Sequence, residues 1–232
     1  MFRFKQFSIE DNRCAHKVGT DGTLLGAWVN VDNAKNILDI GTGSGLIALM
    51  LAQRSNSSAH IDAVELVASD CSQASENVKH SPWPRKVSIH HVRLQDFEPA
   101  KKFDCIVSNP PFFNNSFKPP VQSRITPRHT DTLPFDELIE HSKRLLAKDG
   151  RLHVILPQAE GTHFIEQAKS KFLHLARQWS FRTRQEKPIE RWLLSFSQEA
   201  SSLDTGEILL YAKDDDWSES YQLLTRDFYL KL

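Results

Sequence analysis

The sequence predicts an α/β fold: a mostly parallel, twisted sheet with helices on both faces and an antiparallel terminal strand. Three observations predict it. Short apolar runs alternate with helix-like stretches from residue 36 onward, the rhythm of βαβ units. A glycine-rich turn, Asp39-Ile40-Gly41-Thr42-Gly43-Ser44-Gly45, follows the first of those runs and opens a helix. Late in the chain, the apolar runs 192–196 and 208–210 are separated by the polar stretch 198–205, which suits a terminal pair of antiparallel strands.

Taken in order, Phe2 and Phe4 alternate with Arg3 and Lys5, which predicts a short N-terminal strand outside the main sheet. Residues 37–40 read as a buried strand and 46–54, rich in helix formers, as a helix. A strand at 60–66 precedes a helix at 69–79, with Ser69 or Asp70 near its cap. Residues 87–92 and 103–107 are further strands. The helix at 134–146 puts Leu138, Ile139, Leu145 and Leu146 on one broad face, and Lys148-Asp149-Gly150 stops it. A strand at 152–156 and a helix at 158–172 follow. We divide the chain into an N-terminal extension, 1–35, and an α/β domain, 36–232. The irregular, proline-rich segment 114–127 reads as a long loop, and long loops in compact domains are usually functional or mobile.

A chain of 232 residues, 40% hydrophobic and 25% charged, suits one large globular domain. Lysine plus arginine equals aspartate plus glutamate at 29 each, so any nucleic-acid binding must use a local patch. Cys14, Cys71 and Cys105 form no CxxC pair, and Cys105 lies in an apolar run as buried filler. Asp214-Asp215-Asp216 reads as a solvated turn, and no metal site is expected. No apolar run reaches membrane-spanning length, and the basic N-terminus has no apolar stretch of a signal peptide behind it. The expected location is the cytoplasm. Trp83, between two prolines, reads as a packed loop aromatic.

The glycine turn is the first candidate site. Glycines let the backbone turn sharply and bring N–H groups close to a ligand. Glu65 follows about twenty residues later at the end of the next strand, where an acid can bind ribose hydroxyls. The spacing is G-x-G-x-G, without a Walker lysine or another pyrophosphate feature, and so points to a nucleoside cofactor. Asp96, after the strand at 87–92, is placed to accept a hydrogen bond from an adenine amino group.

The second candidate site is Asn109-Pro110-Pro111-Phe112, directly after the apolar run 103–107. With this motif downstream of the glycine turn, residues 14–156 resemble the Rossmann-like class I methyltransferases that carry (Asp/Asn/Ser)-Pro-Pro-(Tyr/Phe/Trp) and methylate planar amino nitrogens. The resemblance implies S-adenosylmethionine as cofactor, held by Asp39, Gly41, Thr42, Gly43, Gly45, Glu65, Asp96 and Asn109. It makes Asn109, Pro110, Pro111 and Phe112 the catalytic motif. An exocyclic amino lone pair is delocalised into its ring and is a poor nucleophile. Acceptors on the Asn109 side chain and the Pro110 carbonyl can bind both amino hydrogens and aim the nitrogen at the sulfonium methyl. Phe112 would stack on the base.

Further stretches are similar to a bacterial subgroup of tRNA(Val) adenine-N6 methyltransferases, which modify the adenine beside the anticodon. These are Phe4-Lys5-Gln6-Phe7, His16 through Gly22, Leu24-Leu25-Gly26-Ala27-Trp28, Arg128-His129 and Asp227-Phe228-Tyr229-Leu230. The resemblance implies tRNA as the partner. It also implies that residues 17–23 close over the cofactor's methionine end, with contacts from Lys17, Thr20 and Asp21. Asn-Pro-Pro-Phe also occurs in guanine-N2 rRNA methyltransferases, which leaves that substrate open. Protein glutamine N5-methylation is a further alternative, and a non-catalytic RNA-binding protein is one of a different class.

Arg124, Arg128 and His129, in or just after the proline-rich segment, are candidates for holding RNA phosphates; ordinary solvated loop charges are the alternative. Arg177, Arg182, Arg184, Lys187 and Arg191, with Trp179 and Phe181 among them, suit RNA but also fit an edge strand with a polar outer face.

Overall fold

The computed structural model describes residues 1–111, 133–213 and 215–230. A two-stranded hairpin, β1 (Phe2–Arg3) with β2 (Ser8–Ile9), stands apart from the main sheet. Helix α1 (Thr20–Trp28) follows, buried from Gly22 to Trp28. Then come β3 (Asn36–Ile40), α2 (Leu46–Arg54), β4 (His60–Glu65), α3 (Ala68–Lys79), β5 (Val87–His91) and β6 (Phe103–Ser108). Beyond the second described boundary are α4 (Phe135–Leu145), β7 (Leu146–Pro157), α5 (Gln158–Ser170), β8 (His174–Arg182), β9 (Arg191–Ser197), β10 (Asp204–Leu209) and α6 (Glu219–Thr225).

The eight-stranded sheet runs β10-β8-β9-β7-β6-β3-β4-β5. From β3 the chain winds outward through β4 and β5, all parallel, then returns to place β6 on the other side of β3. The carboxyl ends of β3 and β6 therefore flank the point where strand order reverses, the crevice where open α/β sheets bind ligands. Apolar side chains pack on both faces of the central strands, which is why β3 and β6 read as largely apolar runs, each interrupted by one aspartate, Asp39 and Asp104. One core joins the hairpin, α1, α2, part of α3 and α6; the other lies under α4 and α5. Leu138, Ile139, Leu145 and Leu146 are all buried in the second core, and Cys105 is buried in the first.

The α/β class and the parallel centre agree with expectation, and several local readings are corrected. The runs 192–196 and 208–210 do not pair with each other. Strand β8 lies between them, antiparallel to β9 and parallel to β10. Helix α3 begins at Ala68 with Val67 at its cap and no side-chain cap bond, so neither Ser69 nor Asp70 caps it. Helix α4 ends before Lys148-Asp149-Gly150, which instead lies inside β7. There the register jumps, with Phe103 opposite Leu146 but Cys105 opposite Arg151. A Cβ on Gly150 would sit 2.5 Å from the Phe103 carbonyl oxygen, so only glycine lets the bulged strand approach its neighbour this closely.

Aromatic packing ties the two ends of the chain together. Phe4 stacks near Phe7 and Tyr229, Phe7 meets Trp83 edge-on at 5.9 Å, and the Lys5 N–H donates to the Phe228 carbonyl. No helix among the described residues is long and apolar enough to cross a membrane.

Candidate active site

The glycine turn leaves β3 with Gly41, Gly43 and Gly45 all at positive φ, 69°, 55° and 82°. A left-handed backbone costs a side chain about 1–2 kcal/mol per residue, so glycine is the residue for this turn. A Cβ on Gly41 or Gly43 would meet nothing within 4 Å. Open space over the loop lets a ligand approach the backbone directly.

Two acids hold this loop from below. Asp39 is fully buried; its Oδ2 accepts from the Thr42 hydroxyl at 2.6 Å and from the Ala48 N–H at 3.1 Å, in the first turn of α2. Removal from water pushes its carboxyl up to about 7, against the opposing effect of those two hydrogen bonds. Glu65, at the end of β4, accepts the Gly43 N–H at 2.9 Å through Oε2 and the Val67 N–H at 2.9 Å through Oε1. A carboxylate offers about four acceptor positions, so Glu65 has lone pairs left for ligand hydroxyls. Beside it Leu66 and Val67 are each 40% exposed. A backbone cradle, an acid with free acceptor capacity and an adjoining apolar ledge fit the ribose and base of S-adenosylmethionine.

The catalytic motif leaves β6 next to this loop. Ile40 is opposite Ser108 in the parallel ladder, so Gly41 and Asn109 emerge side by side. The Ser108 hydroxyl donates to the Ile40 carbonyl at 3.0 Å and fixes that junction. Asn109 is half-buried, Pro110 buried and Pro111 half-buried. The prolines fix φ and remove donors, so the turn holds its carbonyls in one orientation. Phe112, Arg124, Arg128 and His129 lie outside the described residues.

The N-terminal segment reaches the same end of the sheet. Asp11 folds it by accepting the Val18 N–H at 2.9 Å, and Lys17 donates to the Asp11 carbonyl at 2.5 Å and the Cys14 carbonyl at 3.3 Å. Thr20 and Asp21 open α1, and Asp21 pairs with Arg191 at 2.8 Å. Arg191 stands opposite Pro157 at the end of β7, next to β6. This ion pair joins the N-terminal segment to the far wall of the crevice, across 170 positions of sequence. Asp96 lies in a 3-10 turn after β5, exposed at the same end.

The late arginines all carry acidic partners: Arg177 with Asp204 and Arg182 with Glu207, both at 2.7 Å, and Arg184 with Asp215. Arg177 also lies over the Trp28 ring at 4.3 Å. Residues that the sequence did not single out include Asp11, Asn77 and Gln73, whose side chains look like ordinary surface or helix polar groups until the fold assembles. Among the described residues no group of three or more histidine, cysteine or acidic side chains could hold a metal ion.

With this geometry in place, comparison with known proteins gives consistent matches. The methyltransferase small domain family matches residues 14–182. A Salmonella typhi protein named tRNA1(Val) (adenine(37)-N6)-methyltransferase is 42% identical over 231 residues, 99% of this chain and 94% of the relative. An Aliivibrio salmonicida protein of the same name is 41% identical, covering 100% of this chain and 98% of its own. Among solved structures, a predicted O-methyltransferase from Agrobacterium tumefaciens superposes with TM-score 0.72 at 15% identity, over 90% of this chain and 96% of that one. A methyltransferase from Pyrococcus furiosus gives 0.60 at 18% identity, over 84% and 90%. Likeness at this identity speaks for the fold alone.

Proposed function

We propose that this chain, which belongs to the methyltransferase small domain family, transfers the methyl group of S-adenosylmethionine to N6 of adenine 37 in tRNA1(Val). The observation that carries the chemistry is the placement of Asn109-Pro110-Pro111 beside the glycine loop at the reversal between β3 and β6. The substrate rests on the likeness to the Salmonella typhi and Aliivibrio salmonicida tRNA1(Val) (adenine(37)-N6)-methyltransferases, which align along nearly the whole chain. In this reading the enzyme works in the cytoplasm, where its tRNA is.

The cofactor supplies a methyl group already activated on a sulfonium. The chain's residues bind and orient. Glu65 accepts from ribose hydroxyls, and the turn Gly41-Thr42-Gly43 with Gly45 lets the cofactor lie close against the backbone, since no side chain stands over Gly41 or Gly43. The N–H groups of Gly41 and Thr42 are taken by the Val64 carbonyl, that of Gly43 by Glu65 and that of Gly45 by the Thr42 carbonyl, which fix the shape of the cradle. Asp39 acts from beneath by fixing Thr42 and the start of α2. Asp96 accepts from the adenine amino group of the cofactor. Residues 1–35 form the closing part, with Lys17, Thr20 and Asp21 toward the methionine end. Asn109 and the Pro110 carbonyl accept the two hydrogens of the target amino group, and Phe112 stacks on the base. Asn109 also borders the cofactor. Alignment of two bound reactants can lower a barrier by about 7–11 kcal/mol, and no general base is required before transfer.

Arg124, Arg128, His129, Arg182 and Arg184 are proposed RNA contacts. The acidic partners of Arg182 and Arg184 are exposed, Glu207 by 35% and Asp215 by 74%. Exposed ion pairs contribute about 0–1 kcal/mol, so exchanging the acid for a phosphate costs little.

The test is transfer of labelled methyl to small RNA from a strain lacking the protein, followed by nucleoside analysis. Label in N6-methyladenosine, concentrated in one tRNA, is the expected result. Label in N2-methylguanosine would keep the mechanism and move the substrate; absence of label from RNA would contradict the proposal.

A further inference from the structure

We infer that Asn77, on α3, is a positioning residue that latches the N-terminal closing segment to the cofactor loop. Its side chain is buried, 5% exposed, and both amide hydrogens are committed. One N–H donates to the Glu10 carbonyl at 2.7 Å and the other to the Ser44 carbonyl at 2.8 Å, inside the glycine turn. The Asn77 carbonyl accepts the Glu10 N–H at 3.0 Å. One amide therefore pairs with the backbone of Glu10 as a neighbouring strand would, while holding the loop that cradles the cofactor.

The surrounding contacts give this bond a function. On the same face of α3, Gln73 accepts from Arg13 at 3.0 Å and Glu76 pairs with Arg13. The segment after Glu10 is closed on itself by Asp11, which holds Val18. Helix α3 also packs on the loop, where a Cβ on Gly45 would lie 3.4 Å from that of Ala74. Among the described residues Asn77 is the side chain that hydrogen-bonds both the segment and the cofactor loop. It therefore fixes the start of the segment, and with the Asp21–Arg191 pair sets where Lys17, Thr20 and Asp21 stand relative to Gly41 and Gly43. Its amide is spent on the backbone of Glu10 and Ser44, so it acts through them.

This inference rests on cofactor binding in the proposed function, and a readout that needs no cofactor separates the two. Segment residues Arg13 and Lys17 are exposed, so trypsin can cleave after each when the latch opens. In Asn77→Ala, cleavage at these sites in the cofactor-free protein should rise at least tenfold. Val78→Ala, which trims a buried neighbour on α3 without touching the latch, serves as the control for general destabilisation. By calorimetry the S-adenosylmethionine Kd of Asn77→Ala should rise about tenfold, about 1.4 kcal/mol, with kcat at saturating cofactor changed less than threefold. Asn77→Ala and Asp11→Ala should be non-additive in Kd, because both free the same segment. Cleavage no faster than in Val78→Ala, or strict additivity, would overturn the latch even if the wild type binds cofactor normally. A fall in kcat without a change in Kd would also overturn it.

Discussion

The two halves of the sheet end differently at the same edge of the molecule. From β5 to β6 in sheet order the strands are parallel, and the carboxyl-end side of the sheet carries the glycine loop, Glu65, Asp96 and Asn109. From β7 to β10 the strands mix directions, and the same edge carries Arg182, Arg184 and Arg191, each paired with an acid. The first half concentrates groups that can still bind. The second has its arginines already paired, Arg182 and Arg184 within that half and Arg191 across the crevice with Asp21. A protein of zero formal net charge can thus keep its chemistry in one place.

The sharpest way to break this contrast is Asn109→Ala. Loss of one acceptor at the reacting nitrogen should cut turnover by about 10²–10³-fold, the scale of removing one preorganised hydrogen bond. Cofactor affinity measured by calorimetry should change by less than about threefold, since the loop and Glu65 remain. Undiminished turnover would remove Asn109 from the mechanism.

Glu65→Ala comes next. It removes ribose contacts and the restraint on the Gly43 N–H, and charged hydrogen bonds contribute about 1.5–3 kcal/mol. The Kd for S-adenosylmethionine should rise about ten- to a hundredfold in the same titration; an unchanged Kd would exclude Glu65 from the site.

The halves should also differ in pH dependence. Asp39, raised to about 7 by burial, holds a proton more tightly folded than unfolded. Its stabilising contribution is complete below the ordinary carboxylate pKa and is lost as pH rises through about 7. His153, in β7, is pushed down to about 3 by burial, with Arg177 and Arg151 adding to the effect. The unfolded chain takes that proton first, so stability falls as pH drops from about 6.5 toward 3. Urea unfolding across pH should show Asp39→Asn flattening the neutral limb and His153→Phe the acid limb. The reverse assignment would contradict both burial arguments.

The smallest effect belongs to Arg182→Gln. Stability should change by less than about 1 kcal/mol, while the salt dependence of tRNA binding should fall by about one phosphate contact. An unchanged salt slope in a filter-binding titration would exclude Arg182 from the RNA surface.

The parallel half was legible in the sequence for a physical reason. Strands buried on both faces leave mostly apolar runs, broken here by single aspartates, and the loops between them need glycine, acid and proline at fixed places. The boundaries of α2 were recovered to the residue. Strand β8 was legible only as one of two readings, an edge strand beside a basic aromatic RNA surface, because Arg177, Trp179, Phe181 and Arg182 suit both. The fold makes it a strand but puts it inside the sheet, between β9 and β10. Strand β10 carries Asp204, Thr205 and Glu207 where a central strand would carry apolar residues, and the short α6 was missed. Asn109 and Glu65 were singled out by their own chemistry, and the fold sets each at the carboxyl end of a parallel strand beside the glycine loop. Asn77 and Arg191 were not assigned their roles, because each acts through partners distant in sequence that only the fold brings near.

The central claim is that Asn109-Pro110 presents one adenine amino group to the cofactor. It is tested most directly with unmodified tRNA1(Val) transcripts carrying adenine or guanine at position 37. Labelled methyl should enter the adenine transcript as N6-methyladenosine and be absent from the guanine transcript. Equal labelling of both transcripts, or label recovered as N2-methylguanosine, would contradict the account.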